Sequence, residues 1–168
     1  MKSKFRNLFT SAGLVALLSI ALLGSSTAAL ADPNGSSREP EGSWLYKVTI
    51  PDFGSFQGVE TYSAGGGYSE ADQLSFSPGA VASAGHGAWK STGGGRFILT
   101  YVNLTFDGFT AGVPTGTSKV RQTATIDKTG NSYSGSGDFN YFDTHGNSVF
   151  AGTFVVTATR ILVEAPGQ

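Results

Sequence analysis

SYSGSGDFNYFDTHGNSVFAGTFVVTATR, residues 132–160, is the stretch that decides the fold. Over Ser132–Phe142 and again over Ser148–Arg160, aromatic, aliphatic or glycine positions recur at every second residue, and Thr144-His145-Gly146-Asn147 lies between the two runs. A period of two belongs to a strand with one buried face. Gly and Asn accept the positive φ that a tight hairpin demands. By parity, Tyr133, Gly135, Gly137, Phe139 and Tyr141 share one side of the first strand. Phe150, Gly152, Phe154, Val156, Ala158 and Arg160 share one side of the second.

The same pattern extends toward the N-terminus. It predicts strands at Trp44–Ile50, Gln57–Ser63, Tyr68–Phe76, His86–Ser91, Phe97–Phe106 and Gly116–Asp127. Ala64-Gly65-Gly66-Gly67, Thr92-Gly93-Gly94-Gly95 and Lys128-Thr129-Gly130-Asn131 read as hairpin turns, whereas Phe76 to Gly85, containing Pro78-Gly79, is a looser connection. No amphipathic helix of useful length interrupts the series. Sequential hairpins predict an all-β chain, an eight-stranded antiparallel up-and-down β-barrel, because closure removes exposed strand edges. The inner faces carry Trp44, Tyr46, Val48 and Ile50, then Phe97, Leu99 and Tyr101, then Val120, Ala124 and Ile126. Lys119, Arg121, Thr123 and Asp127 fall outside. Small residues opposite bulky ones can fill a tapering barrel or leave a cavity, and the pattern permits either.

Residues 1–31 read as a secretory signal peptide: Lys2, Lys4 and Arg6 precede an apolar run, Ala12 to Leu23, and Ala29-Leu30-Ala31 offers a small-x-small cleavage site. A spanning helix needs about 20 apolar residues with basic flanks, so cleavage near Ala31 and export are expected, to the periplasm or the exterior. With no Arg-Arg pair before the apolar run, the general secretory route is favoured over the twin-arginine one. Residues 32–42 read as a flexible lead-in, 43–164 as one barrel domain and 165–168 as a tail. The chain contains no Cys, which removes disulfides, thiolate metal sites, Cys nucleophiles and a lipidated Cys. Three of the 11 basic residues fall in the leader, so the mature chain is mildly acidic. That balance argues against nucleic acid or anionic lipid as partners, and no membrane span is expected in the mature chain.

Gly42-Ser43-Trp44 at the first strand and Arg160 at the end of the last resemble the structural signature of the calycin superfamily, which holds lipocalins, fatty-acid-binding proteins and avidins. In that resemblance an Arg lies across the buried indole, and Trp44 and Arg160 are structural residues. Gly85-His86-Gly87-Ala88-Trp89 is similar to the G-H-G-x-W segment of a group of small exported bacterial proteins. The resemblance implies a barrel that holds a small apolar ligand.

His86, beside Trp89 in a Gly-rich run, reads either as a general base or haem-type ligand or as a strand-start His bonded to a backbone carbonyl. In a regular strand residues 86 and 89 face opposite sides. Glu60 shares parity with Phe56, Gly58 and Tyr62; inward, it has a raised pKa and serves as an acid or a polar anchor, and with parity off by one it is merely outside. Glu70 and Asp72 alternate on one face, and like charges are costly inside, so a solvated outer face is expected. His145 sits in a turn, and two His without Cys build no zinc site. No cofactor is implied. The Gly-Gly-Gly runs precede no helix, Ser134-Gly135-Ser136-Gly137 lacks the context of a nucleophile elbow, and Asn103-Leu104-Thr105 matches a glycosylation sequon but lies mid-strand.

The leading expectation is an exported, non-enzymatic barrel binding a small, mostly apolar molecule. Tyr62, Tyr101, Phe139, Tyr141 and Phe154 are the lining candidates, with His86 and Glu60 as polar anchors. A barrel cyclase, resembling allene oxide cyclase or dirigent proteins, is the alternative, since such sites work by positioning more than by triads or metals. A packed barrel acting as an envelope interaction module is the third.

Overall fold

Inward-facing and outward-facing residues alternate along every long strand, as the period of two requires. The computed structural model describes residues 38–77, 80–110 and 112–167, and the leader expected over 1–31 lies outside them. The strands are β1 (Gly42–Ile50), β2 (Gly54–Tyr62), β3 (Gly67–Asp72), β4 (Phe76–Ser77), β5 (Ala80–Ala82), β6 (Gly85–Gly93), β7 (Arg96–Asp107), β8 (Pro114–Ile126), β9 (Ser132–Phe142) and β10 (Ser148–Arg160). Every pairing is antiparallel, and β7–β8 contact closes the ring β7-β6-β3-β2-β1-β10-β9-β8. The result is an eight-stranded up-and-down barrel. Short β4 and β5 pair with each other, and β5 takes the edge of β7 beyond β6, so they prolong the β3–β6 hairpin. The turn between β6 and β7 places Gly93, Gly94 and Gly95 at φ of 86°, 64° and 78°, a run that a side chain would strain.

The start of the first strand and the end of the last meet at one mouth of the barrel. Trp44 stands opposite both Arg160 and Glu60 in the sheet register. Its indole is fully buried and donates Nε1–H to Pro40 O at 2.7 Å. Arg160 lies over the ring, 4.1 Å from its centroid, and donates Nε–H to Gly130 O at 2.8 Å and a second N–H to Glu39 O at 3.2 Å. Residues 38–41, read from sequence as flexible, therefore lie against the barrel end with Pro40 buried. Edge-to-face contacts between Trp44, Tyr133, Phe97, Tyr62 and Tyr68, with centroids 5.0–5.4 Å apart, plug this end.

Glycine decides how the other rings lie. Phe154 stands opposite Gly137, and Phe139 opposite Gly152, each ring folding across its glycine. A Cβ on Gly152 would meet Phe139 Cζ at 2.6 Å, and one on Gly137 would meet Phe154 Cζ at 2.5 Å. At Gly152, where the Phe139 ring supplies every close contact, Gly152→Ala is thus expected to force that ring off its rotamer and to destabilise the barrel by about 1–3 kcal/mol, read by urea unfolding. An unchanged midpoint would mean that the ring does not use this gap.

The outer wall mixes charged and polar side chains with exposed Leu45, Val59, Ile98, Val102, Leu104 and Val155. Lys47, Lys90, Lys119, Thr123, Ser134 and Ser136 point outward, and Arg121 pairs with Asp138 there. A Lys or Arg facing lipid at the midplane of a transmembrane barrel costs about 2–4 kcal/mol, so the positions of Lys47, Lys90, Lys119 and Arg121 are suited to water. Among the described residues no helix is long and apolar enough to cross a membrane.

Candidate functional site

The barrel is filled at the Trp44 end and hollow at the other. Between the two mouths the inner face changes from packed rings to a polar layer and then to a cavity. The cavity has a volume of about 320 Å³ and opens where β1, β7 and β9 end. Val48, Ile50, Phe56, Phe139 and Phe154 form much of its apolar wall, and Tyr101, Tyr141, Asn103, Ser118 and Asp72 supply its polar atoms. Phe53 and Phe109, 70% and 86% exposed, stand on the turns beside this mouth, and Phe150 stacks at its rim on Phe139 and Tyr141.

Two carboxyl groups lie inside the barrel, and the β2–β3 register makes them direct neighbours: Glu60 faces Glu70. They are 3% and 4% exposed. Glu70 corrects the expectation of an outer face. Tyr68 is inward, so parity carries Glu70 inward too, and the charge is met by donors. Tyr46 OH donates to Glu70 Oε2 at 2.9 Å, and Asn103 Nδ2 donates to Oε1 at 2.6 Å. Burial pushes the Glu70 carboxyl above its ordinary value, with the charge of Asp72 adding to the effect and the donors opposing it. The same environment pushes the Tyr46 phenol far up, so it remains a donor.

Glu60 is gripped by three phenols. Oε2 accepts from Tyr68 at 2.9 Å and from Tyr62 at 3.2 Å, and Oε1 accepts from Tyr133. Burial raises its carboxyl to about 7 against the pull of these donors. A carboxyl that titrates near neutrality is the usual equipment of an acid or base. Here, however, its oxygens are occupied by protein hydroxyls and it is absent from the cavity wall, so its chemistry is turned on the fold.

The predicted site residues separate into three places. Tyr101, Phe139, Tyr141 and Phe154 are on the cavity wall. Tyr62 and Glu60 lie in the packed half. His86 is exposed on the outer face, while Trp89, with the opposite parity, packs inward and donates Nε1–H to Ser63 O at 3.0 Å. His86 therefore has no path to the lumen. Sequence reasoning missed Asn103, Ser118 and Asp72 as wall residues. Asn103 and Thr105 of the apparent sequon are both buried. The signal for Asn103 was its parity with Tyr101, two residues before it. Among the described residues, no group of three or more His, Cys, Asp or Glu could hold a metal ion.

Comparison with protein-family models, curated proteins and solved structures finds no match to this chain.

Proposed function

We propose that the protein is an exported carrier that binds one small, mostly apolar molecule in the open half of its barrel. The leader pattern of residues 1–31 supports the export half of this reading. The cavity carries the binding half. Its volume is about twice the roughly 150 Å³ that accommodates a benzene ring, which suits a body of two rings or a short chain. Its wall is mostly apolar with a few polar atoms gathered on one side, the usual composition of a ligand site. A cyclase would use the same cavity, but the carboxyl nearest neutrality is not on its wall.

Binding and cavity are tested together. The protein purified from its host without detergent is examined by native mass spectrometry, and then melted with pools of apolar compounds. A ligand at about 100 times its Kd adds about 2.7 kcal/mol, a shift of several degrees. Val120 lies on the wall. Val120→Phe is expected to fill the cavity and abolish the shift. No bound mass and no shift from any pool, or a shift that survives Val120→Phe, would overturn the reading.

A further inference from the structure

The polar groups of the cavity wall are arranged to accept hydrogen bonds. Asn103 commits both Nδ2 protons to the protein, one to Glu70 Oε1 at 2.6 Å and one to Ser83 O at 3.0 Å. Ser118 donates its proton to Asn103 Oδ1 at 3.1 Å, and its oxygen lone pairs remain. Thr115 likewise gives its proton to Thr105 Oγ1 at 3.0 Å. Asp72 uses Oδ1 for the Ser75 amide and hydroxyl, at 2.8 and 2.7 Å, and its Oδ2 accepts nothing among the described residues. The hydroxyls of Tyr101, Tyr141 and Thr105 can accept as well as donate.

Charge around this mouth has one sign. Asp72 is on the wall and Glu70 lies behind Asn103. The surrounding turns carry Asp52, Asp107 and Asp143. The Asn147 side chain and backbone amides hold Asp143 below its ordinary range, so it stays ionised. Lys47, Lys90, Lys119 and Arg121 point outward from the barrel wall. Arg38, Arg96, Lys128 and Arg160 are at the filled end. The exposed His145 shares the turn of Asp143. Acids around a low-dielectric cleft focus their field into it and draw in cations.

We infer that the ligand is a small apolar amine, bound as its ammonium. Its hydrocarbon or ring body rests on Val48, Phe139 and Phe154, and its nitrogen points to Asp72 Oδ2 and Asn103 Oδ1. An ammonium has three donors and no acceptor, which complements this wall, and the Tyr101 and Tyr141 rings add cation–π attraction. A fatty acid would bring an acceptor-only anion against Asp72 and the surrounding acids, and only the Tyr101, Tyr141 and Thr105 hydroxyls could donate to it, without a cation to offset the like charge. This inference rests on the cavity being a ligand site.

The test uses three ligands on one skeleton: naphthylmethylamine, naphthylmethanol and naphthoic acid, titrated calorimetrically at pH 7 into the protein and into Asp72→Asn. The variant keeps an oxygen for Ser75 and loses the charge. The amine is expected to bind about tenfold or more tighter than the alcohol, with the acid weakest. Asp72→Asn should lower only the amine's affinity, again by about tenfold, leaving the alcohol as the control for an intact cavity. An alcohol or acid that matches the amine, or an amine indifferent to Asp72→Asn, overturns the inference and leaves the carrier reading standing. The absence of both heat and a melting shift with all three overturns the inference, whereas the carrier reading is decided by the native mass and the pooled melts.

Discussion

Replacing Trp44 with Ala is expected to destabilise the protein by about 3–5 kcal/mol, the range for removing a large aromatic from a core. The indole is fully buried between Tyr133, whose ring centroid is 5.1 Å away, and the Arg160 guanidinium. Its loss leaves a void that neither neighbour can fill. Arg160 is tied by its own hydrogen bonds to Gly130, Glu39 and Glu41 carbonyls, and Tyr133 by its bond to Glu60. The carbonyl of Pro40 also loses its donor. Trp44→Phe separates the two contributions: it restores most of the apolar volume but not the hydrogen bond, and is expected to cost about 1–2 kcal/mol. Urea unfolding at constant pH reads both variants. Hydrogen exchange adds a local readout, since the Arg160 and Ile161 amides, which donate to Asn131 O and Ser43 O at this end, should lose protection in Trp44→Ala. A loss below about 1 kcal/mol for Trp44→Ala would show that this end of the barrel contributes little to the core.

The barrel itself was legible because its signals are local. Eight alternating runs and their Gly-rich turns specify strands, parity and hairpin order, and consecutive hairpins leave closure as the way to hide the edges. The break within the β3–β6 hairpin, where β4 and β5 prolong it, was visible only as a loose connection around Pro78-Gly79. The site was less legible because it depends on facts that parity does not carry. Whether glycine opposite an aromatic leaves a hole depends on where the ring falls. Tyr46 across Gly58 fills its gap, whereas Phe139 and Phe154 cover their glycines and still leave the lumen open beyond them. Glu70 was misplaced for a different reason. A rule against like charges inside holds for bare carboxylates, and this chain supplies donors from strands far away in sequence. Asn103 is 33 residues from Glu70 and Tyr133 is 73 from Glu60. No local pattern announces such partners.

Stability should fall as pH rises from about 4.5 to about 7, and Glu60 should be the main cause. Its carboxyl has an ordinary value of 4.5 and is pushed up to about 7 in the folded protein, chiefly by burial. A raised folded pKa means that the fold prefers the protonated form, so this stabilisation is complete below the unfolded pKa. It is lost as pH climbs through the folded one, and is level above that. A shift of this size corresponds to about 3 kcal/mol across the window. Glu70 shifts in the same direction and adds to the slope. Asp127 and Asp143 shift down, so their contributions are lost only as pH falls below the ordinary aspartate range, outside this window. Glu60→Gln isolates the effect. The amide keeps an oxygen for the phenols and adds two donors, and a tyrosine hydroxyl can turn from donor to acceptor to meet them. The variant is expected to lose most of the slope between pH 4.5 and 7, and at pH 8 to match or exceed the parent in stability. Urea unfolding at pH 4.5, 6 and 8 on both proteins decides it. An identical slope in Glu60→Gln would assign the titration to another group. A parent whose stability instead rises across the window would mean that the three phenols outweigh burial and hold Glu60 as a carboxylate.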